Sequence, residues 1–297
     1  MKYLLKGVVI CGLIISSILY GSEESPTISR LFFMPKAKVL GTYVINIAGG
    51  STYYPFEERS LLGIASIGLG DVAEVEINTR GVFNNLPQGV INVPATSFKM
   101  RLLKESRYIP AMSMMLEMSP IWYSQKVHRF AETDKYVQAC GEGDYVHRTK
   151  HGTFYVLLDK RIAKVGFSLG LSMSDYRVKT RGPWPSELEW EEAQNTLYCP
   201  HVGVQLPINK STSVIAEYDR WPMLIYAGPD SERVEPVDMG MLGIRFFFTE
   251  FTENISVDIG IVYTSEFKGI ADAVLHTNLN LTLSLLDISK LFRKPKE

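Results

Sequence analysis

The chain has 297 residues, with 31 Lys and Arg against 32 Asp and Glu, and a formal net charge of −1. That balance excludes the basic surface expected of a nucleic-acid-binding protein. Three cysteines exclude a disulfide-dense scaffold.

The first 21 residues, "MKYLLKGVVICGLIISSILYG", read as a secretory signal peptide. Lys2 and Lys6 precede an apolar run from Gly7 to Leu19, and small residues follow at Gly21 and Ser22. The alternative is an uncleaved helical anchor, for which the run is short. Cys11 lies inside that run without the small residues a lipoprotein signal places before its cysteine, so it is expected to be discarded. Cleavage after Gly21 removes two of the 31 basic residues, leaves 29 against 32 acidic ones, and retains Cys140 and Cys199. No later apolar run approaches the length of a spanning helix. Residues 22–39 are expected to form an N-terminal segment on the periplasmic side.

From residue 40 onward the chain alternates with period two, the mark of a strand with one apolar face. "KVGFSLGLSMSDYRVK" sets Val165, Phe167, Leu169, Leu171 and Met173 against Gly166, Ser168, Gly170 and Ser172. Similar runs predict twelve strands, at 40–48, 61–68, 72–80, 94–103, 109–123, 152–160, 164–177, 197–207, 212–224, 237–248, 254–265 and 272–285. The connections alternate in length. Those at 69–71, 104–108, 161–163, 208–211 and 249–253 are short. Those at 49–60, 81–93, 124–151, 178–196, 225–236 and 266–271 are longer. Outer-membrane barrels sort their loops in this way, with short periplasmic turns and long external loops. The parity therefore predicts an all-β fold: a closed antiparallel transmembrane barrel over 40–286, followed by a periplasmic tail, 287–297. Aromatics at strand ends agree, with Trp122, Tyr123, Tyr176, Tyr198, Trp221 and Tyr263 toward the outer rim. Tyr108, Phe248 and Phe251 fall near the inner one.

The stretches "MPKAKVLGTYVINIAG", "GLGDVAEVEI", "STSVIAEYD" and "GIADAVLHTNLNL" resemble Gram-negative outer-membrane β-barrels, more narrowly the exopolysaccharide-associated YjbH-type barrels. The resemblance implies the fold and the outer membrane, with its lipid, lipopolysaccharide and barrel-assembly machinery as partners. Barrels of this kind usually end on a C-terminal aromatic. Here "DISKLFRKPKE" follows the last strand, which puts the insertion signal near Leu279–Leu285.

The inward faces carry charge at Glu74, Glu76, Lys99, Arg101, Glu117, Glu217, Asp219, Arg245 and Asp258. Opposite charges fall on adjacent strands, Glu74 and Glu76 against Lys99 and Arg101, and Arg245 against Glu217 and Asp258. They form either a polar constriction that filters solutes or cross-strand pairs that stabilise the wall.

The loop 124–151 holds His128, Cys140, His147 and His151, and Cys199 and His201 are placed at the outer entrance of the eighth strand. His147 and His151 have a metal-ligand spacing only in a helix, and no metal or cofactor is expected. A Cys140–Cys199 disulfide is open in an oxidising compartment. Loop 178–196 contains a capping box, Ser186 to Glu189, an acidic cluster at Glu187, Glu189, Glu191 and Glu192, and Trp184 and Trp190 as packing residues.

Enzyme motifs are absent: "GLG" at 68–70 is a turn, and no G-x-S-x-G occurs. Lipid-hydrolase barrels carry a Ser–His pair, but His276, taken as the strand-centred histidine, points inward. The leading expectation is a porin-like or export-associated pore for small polar solutes or surface glycan. One alternative is a non-conducting barrel whose lumen is filled by side chains and residues 23–39. The other is a soluble carbohydrate-binding β-sandwich.

Overall fold

The computed structural model describes residues 28–53, 59–84, 90–119, 123–129, 143–181, 191–225, 233–248, 254–265 and 273–285. Thirteen strand segments occur among them: β1 (Val44–Tyr53), β2 (Arg59–Leu69), β3 (Ala73–Asn84), β4 (Val90–Leu103), β5 (Ala111–Met118), β6 (Tyr123–Arg129), β7 (Gly143–Ile162), β8 (Val165–Arg181), β9 (Glu191–Pro207), β10 (Thr212–Ile225), β11 (Arg233–Phe247), β12 (Ile255–Thr264) and β13 (Val274–Ser284). Consecutive segments pair antiparallel, and β1 closes the ring on β13, with Val44 opposite Ser284 and Tyr53 opposite Leu275. β5 and β6 are two halves of one stave, since both pair with β7. The ring therefore has the twelve strands expected.

Exposure follows the alternation. On β8, Phe167, Leu169, Leu171 and Met173 are 38–54% exposed, whereas Ser168 and Ser172 are 3% and 2%. Ile77, Phe98, Leu116, Val202, Leu242, Ile261 and Leu279 are likewise exposed on the outer wall, while Glu76, Lys99, Glu117, His201, Arg245, Asp258 and Asn280 are buried. Charges inside and apolar side chains outside invert a soluble protein and match a wall bathed in lipid. The β-sandwich reading is thereby overturned.

The short turns are built as the barrel requires. Gly70 and Asp71 both adopt positive φ, 64° and 54°, at the β2–β3 reversal. The Asp71 carboxylate accepts a hydrogen bond from the Thr42 N–H at 2.7 Å and so ties the start of β1 to this turn.

Several strand boundaries depart from expectation, most of them at the outer ends. The 124–151 connection is largely strand, with β6 paired to β7 from Tyr123–Thr149 to Arg129–Gly143. β9 starts at Glu191, so Cys199 and His201 lie well inside the wall instead of at its entrance. Period two marks a strand only where one face is apolar, and polar residues on both faces above the lipid belt erase that cue. His147 and His151 are consequently four apart on a strand, roughly 13 Å of rise, not one helical turn. At the outer end β10 also meets β3 across the ring, with Met223 opposite Phe83 and Leu224 opposite Asn84.

The N-terminal segment departs from the periplasmic placement and follows the alternative of a filled lumen. Residues 28–39 do not lie free below the barrel; they run inside it. Ser29 to Lys36 form a reversal closed by Lys36 N–H to Ser29 O at 2.8 Å and Leu31 N–H to Met34 O at 2.9 Å. Leu31, Phe32, Phe33, Met34 and Leu40 are at most 8% exposed. "LFFM" has no strand period and so no assignable face, yet four consecutive large apolar residues must be buried somewhere.

Candidate functional site: the plugged lumen

The inner face and residues 28–40, here called the plug, form one connected polar network. β10 carries Glu217, whose carboxylate accepts hydrogen bonds from the successive N–H groups of Phe32, Phe33 and Met34 at 3.0, 3.1 and 2.5 Å. β11 and β12 set Arg245 opposite Asp258, and the guanidinium donates to that carboxylate at 2.6 and 2.9 Å. The same guanidinium donates to the carbonyls of Arg30 and Leu31 at 3.2 and 2.8 Å. One arginine thus satisfies the wall's carboxylate and two orphaned plug carbonyls.

On the opposite wall Arg30 forms a bidentate pair with Glu76 of β3, one contact being 2.8 Å and the other very short. Bidentate Arg–carboxylate geometry is among the stronger charge-assisted contacts. Asn78 donates to both Glu76 and Glu117, at 2.8 Å each, and bridges β3 to β5. Lys99 of β4 lies 3.1 Å from Glu74, which in turn accepts the Leu40 N–H at 3.0 Å. Nearer the short turns, Asp159 accepts the Lys38 N–H at 3.1 Å, and Lys36 donates to Gln205 at 3.0 Å.

Of the nine charged residues expected inside, Glu74, Glu76, Lys99, Glu117, Glu217, Asp219, Arg245 and Asp258 are buried on the lumen side. Arg101 is half-buried and lines a cavity at the end carrying the short turns. They do not ring an aqueous constriction. Five of them, Glu74, Glu76, Lys99, Glu217 and Arg245, engage the plug directly. An unpaired buried charge is costly, so this arrangement holds only because each side supplies the other's partners. Arg30, Lys36, Asp159 and Gln205 escaped the sequence reading because their partners lie far away in sequence.

Two wall glycines admit the plug. A side chain at Gly203 would collide with Leu31, and one at Gly68 with the carbonyls of Leu40 and Gly41. Phe33 packs edge-on against Trp221, ring centres 5.9 Å apart, and lies 4.8 Å from His276. Trp221 and Tyr176, expected in an outer aromatic girdle, are instead lumen residues, 7% and 5% exposed. Tyr198 and Tyr263 do face outward, as do Tyr108 and Phe248. Trp122, Phe251 and the capping box at Ser186–Glu189 lie outside the described residues.

Two further buried histidines lie within strands beside His276: His151 on β7, 3.6 Å from Glu117, and His201 on β9. His201 Nδ1 is 2.6 Å from Asp219 Oδ1, and its Nε2 is 2.8 Å from Ser172 Oγ. Three residues on β8, β9 and β10 thus repeat the connectivity of a serine-hydrolase triad. Ser172 is only 2% exposed, and its hydroxyl also reaches the Cys199 carbonyl at 3.4 Å. Cys199 is a buried free thiol in this structure, and Cys140 lies outside the described residues. Among the described residues no cluster of His, Cys, Asp or Glu is arranged to hold a metal ion.

The fold and lumen define an outer-membrane-type β-barrel that contains its own N-terminal segment. No family model and no characterised protein matches the sequence. Among solved structures the chain is similar to the KdgM porin, at 6% identity and TM-score 0.40, over 82% of this chain and 99% of that one. It is similar to the translocator domain of the autotransporter NalP from Neisseria meningitidis, at 7% identity and TM-score 0.41, over 82% and 87%. OmpT of Vibrio cholerae aligns at 8% identity and TM-score 0.36, over 81% and 96%. The class stands on this chain's own closed strand pairing and exposed apolar belt.

Proposed function

We propose that the protein is an outer-membrane barrel held shut by its own N-terminal segment, non-conducting at rest and without enzymatic activity. The observation that carries this reading is the burial of residues 28–40 against Glu76, Glu217 and Arg245. Cleavage of the signal after Gly21 leaves this segment on the mature chain, attached to the start of β1. Export places the protein in the outer membrane, with lipopolysaccharide against the apolar belt.

The porin-like reading, a passage for small polar solutes or surface glycan, survives as an opened state of the same barrel. It is favoured by one feature: the plug is tied by hydrogen bonds and ion pairs, all of them reversible. Planar-bilayer recording tests both. The wild-type protein is expected to be silent, and variants that detach the plug are expected to conduct. Steady channels from the unmodified protein would overturn the resting closure. Silence of every plug variant would leave a structural or surface-interaction barrel.

A further inference from the structure

The end of the barrel that carries the short turns holds a cavity of about 630 Å³, which opens between the plug, β4, the β4–β5 loop and the β7–β8 turn. Six cationic side chains line it: Lys38, Arg101, Lys104, Arg107, Lys160 and Arg161. Glu105 is the one carboxylate among its lining residues. A near-neutral chain has thus concentrated one sign of charge in one concavity.

Glu105 does not neutralise it. Its carboxylate lies 3.9 Å from both Lys38 and Lys160 and accepts the Arg161 N–H at 2.7 Å. Lys160 is further occupied by the carbonyls of Ser106 and Arg107, at 2.5 and 3.0 Å, which fixes the loop. Among the described residues no side-chain hydrogen bond or ion pair engages Arg101 or Lys104. Arg107 stacks 5.4 Å over the Tyr108 ring, and both are exposed.

The cavity opens at the barrel rim, and Arg101 and Ala111 line it from the lumen side. Leu102, Leu103 and Ile162 carry the exposed apolar face at this level. Arg101 alternates inward, opposite Ser113, which is fully buried. The register shift between Arg101 and Leu103 is a bulge, the usual device for re-aiming a side chain at a rim.

We infer that this vestibule binds a small soluble polyanion bearing phosphate or carboxylate groups. Arg101, Lys104 and Arg107 supply the direct contacts, while Lys38 and Arg161 supply the field. A concavity lined by one charge sign raises the local concentration of its counter-ion, and guanidinium groups match planar or tetrahedral oxyanions. Binding leaves the plug in place, so this inference does not depend on whether the barrel conducts.

Isothermal titration of the full-length protein in an uncharged detergent at low ionic strength tests it, with pyrophosphate, citrate and neutral maltose as probes. Pyrophosphate or citrate is expected to bind saturably and maltose not at all. Affinity falls steeply with added salt, as the screening length shortens. Arg101→Gln combined with Lys104→Gln is expected to weaken binding at least about ten-fold, the loss of two charge-assisted contacts. Arg101→Lys with Lys104→Arg retains binding, and Arg177→Gln, at the opposite end, leaves it unchanged. Heat-modifiable gel migration shows that each variant is folded. No saturable binding of either anion, or equal binding by the folded Gln variant, would overturn the inference. Heat with anionic phosphatidylglycerol vesicles but with neither soluble anion would also overturn it, assigning the cations to lipid headgroups.

Discussion

Glu217 is the residue on which the plug turns. Its carboxylate serves three consecutive backbone donors and is itself buried. Glu217→Ala leaves those N–H groups without an acceptor, at about 1–3 kcal/mol for each that stays buried. The plug is therefore expected to detach before the wall unfolds. Limited proteolysis should cut within residues 28–40 in the variant and spare them in the wild type. Glu217→Gln keeps an acceptor oxygen and is expected to fall between the two. The Ser172–His201–Asp219 chain sets a different expectation. Its geometry fits a nucleophile, but a serine 2% exposed offers no approach to an acyl group. No labelling of Ser172 by a fluorophosphonate is expected, and adduct formation at that serine would restore an enzymatic reading. Neither cluster was legible in the sequence. The alternation showed that Glu217 and Asp219 point inward, while His201 was placed at the outer strand entrance; a partner on another strand depends on register, and register is fixed by pairing.

At the scale of elements, the wall was readable, whereas the plug entered only as an alternative, a lumen filled by residues 23–39, with no contacts assigned. β8 is recognisable because lipid demands an apolar residue at every second position, and the lumen admits glycine and serine between them. The same rule fails at the outer ends of β6, β7 and β9, where the sequence is polar at successive positions. It also has nothing to say of "ISRLFFMPKAKVL", which is buried as a reversal, not as a strand. Gly203 gives the cleanest probe of that segment. A methyl group there is driven into Leu31, whereas the strand itself accepts alanine readily. Gly203→Ala is expected to loosen the plug while leaving the barrel closed. Cys199, on the same strand and face, reports the change: its buried thiol should resist a bulky maleimide in the wild type and react in Gly203→Ala. Peptide mapping assigns the label. It also detects a Cys140–Cys199 bond, which we retain as a proposal; the bond would leave Cys199 unlabelled in both proteins until reduction.

At the scale of the molecule, period two and loop parity together specify a closed ring, because each strand's two faces are assigned and each reversal has a side. They do not specify what fills the ring. That depends on whether the segment before β1 complements the inner surface, and here it does, with Arg30 for Glu76 and backbone donors for Glu217. Removing residues 22–40 tests the consequence. The wall keeps its Arg245–Asp258 and Glu74–Lys99 pairs, and carboxylates stripped of the plug become hydrated. The shortened chain is expected to remain a heat-modifiable barrel, and it should conduct where the full chain is silent. The sign of its selectivity follows from the inner wall. Among the described residues, Glu74, Glu76, Glu117, Asp159, Glu217, Asp219 and Asp258 are buried there, against buried Lys99 and Arg245 and half-buried Arg101 and Arg161 nearer the short turns. An excess of carboxylates attracts cations into a narrow pore, so reversal potentials in a salt gradient should show cation preference. Arg245→Ala in the shortened chain removes one of these four cations and is expected to strengthen that preference. An anion-selective channel, or a shift toward anions on losing Arg245, would mean that these side chains do not line the conducting path.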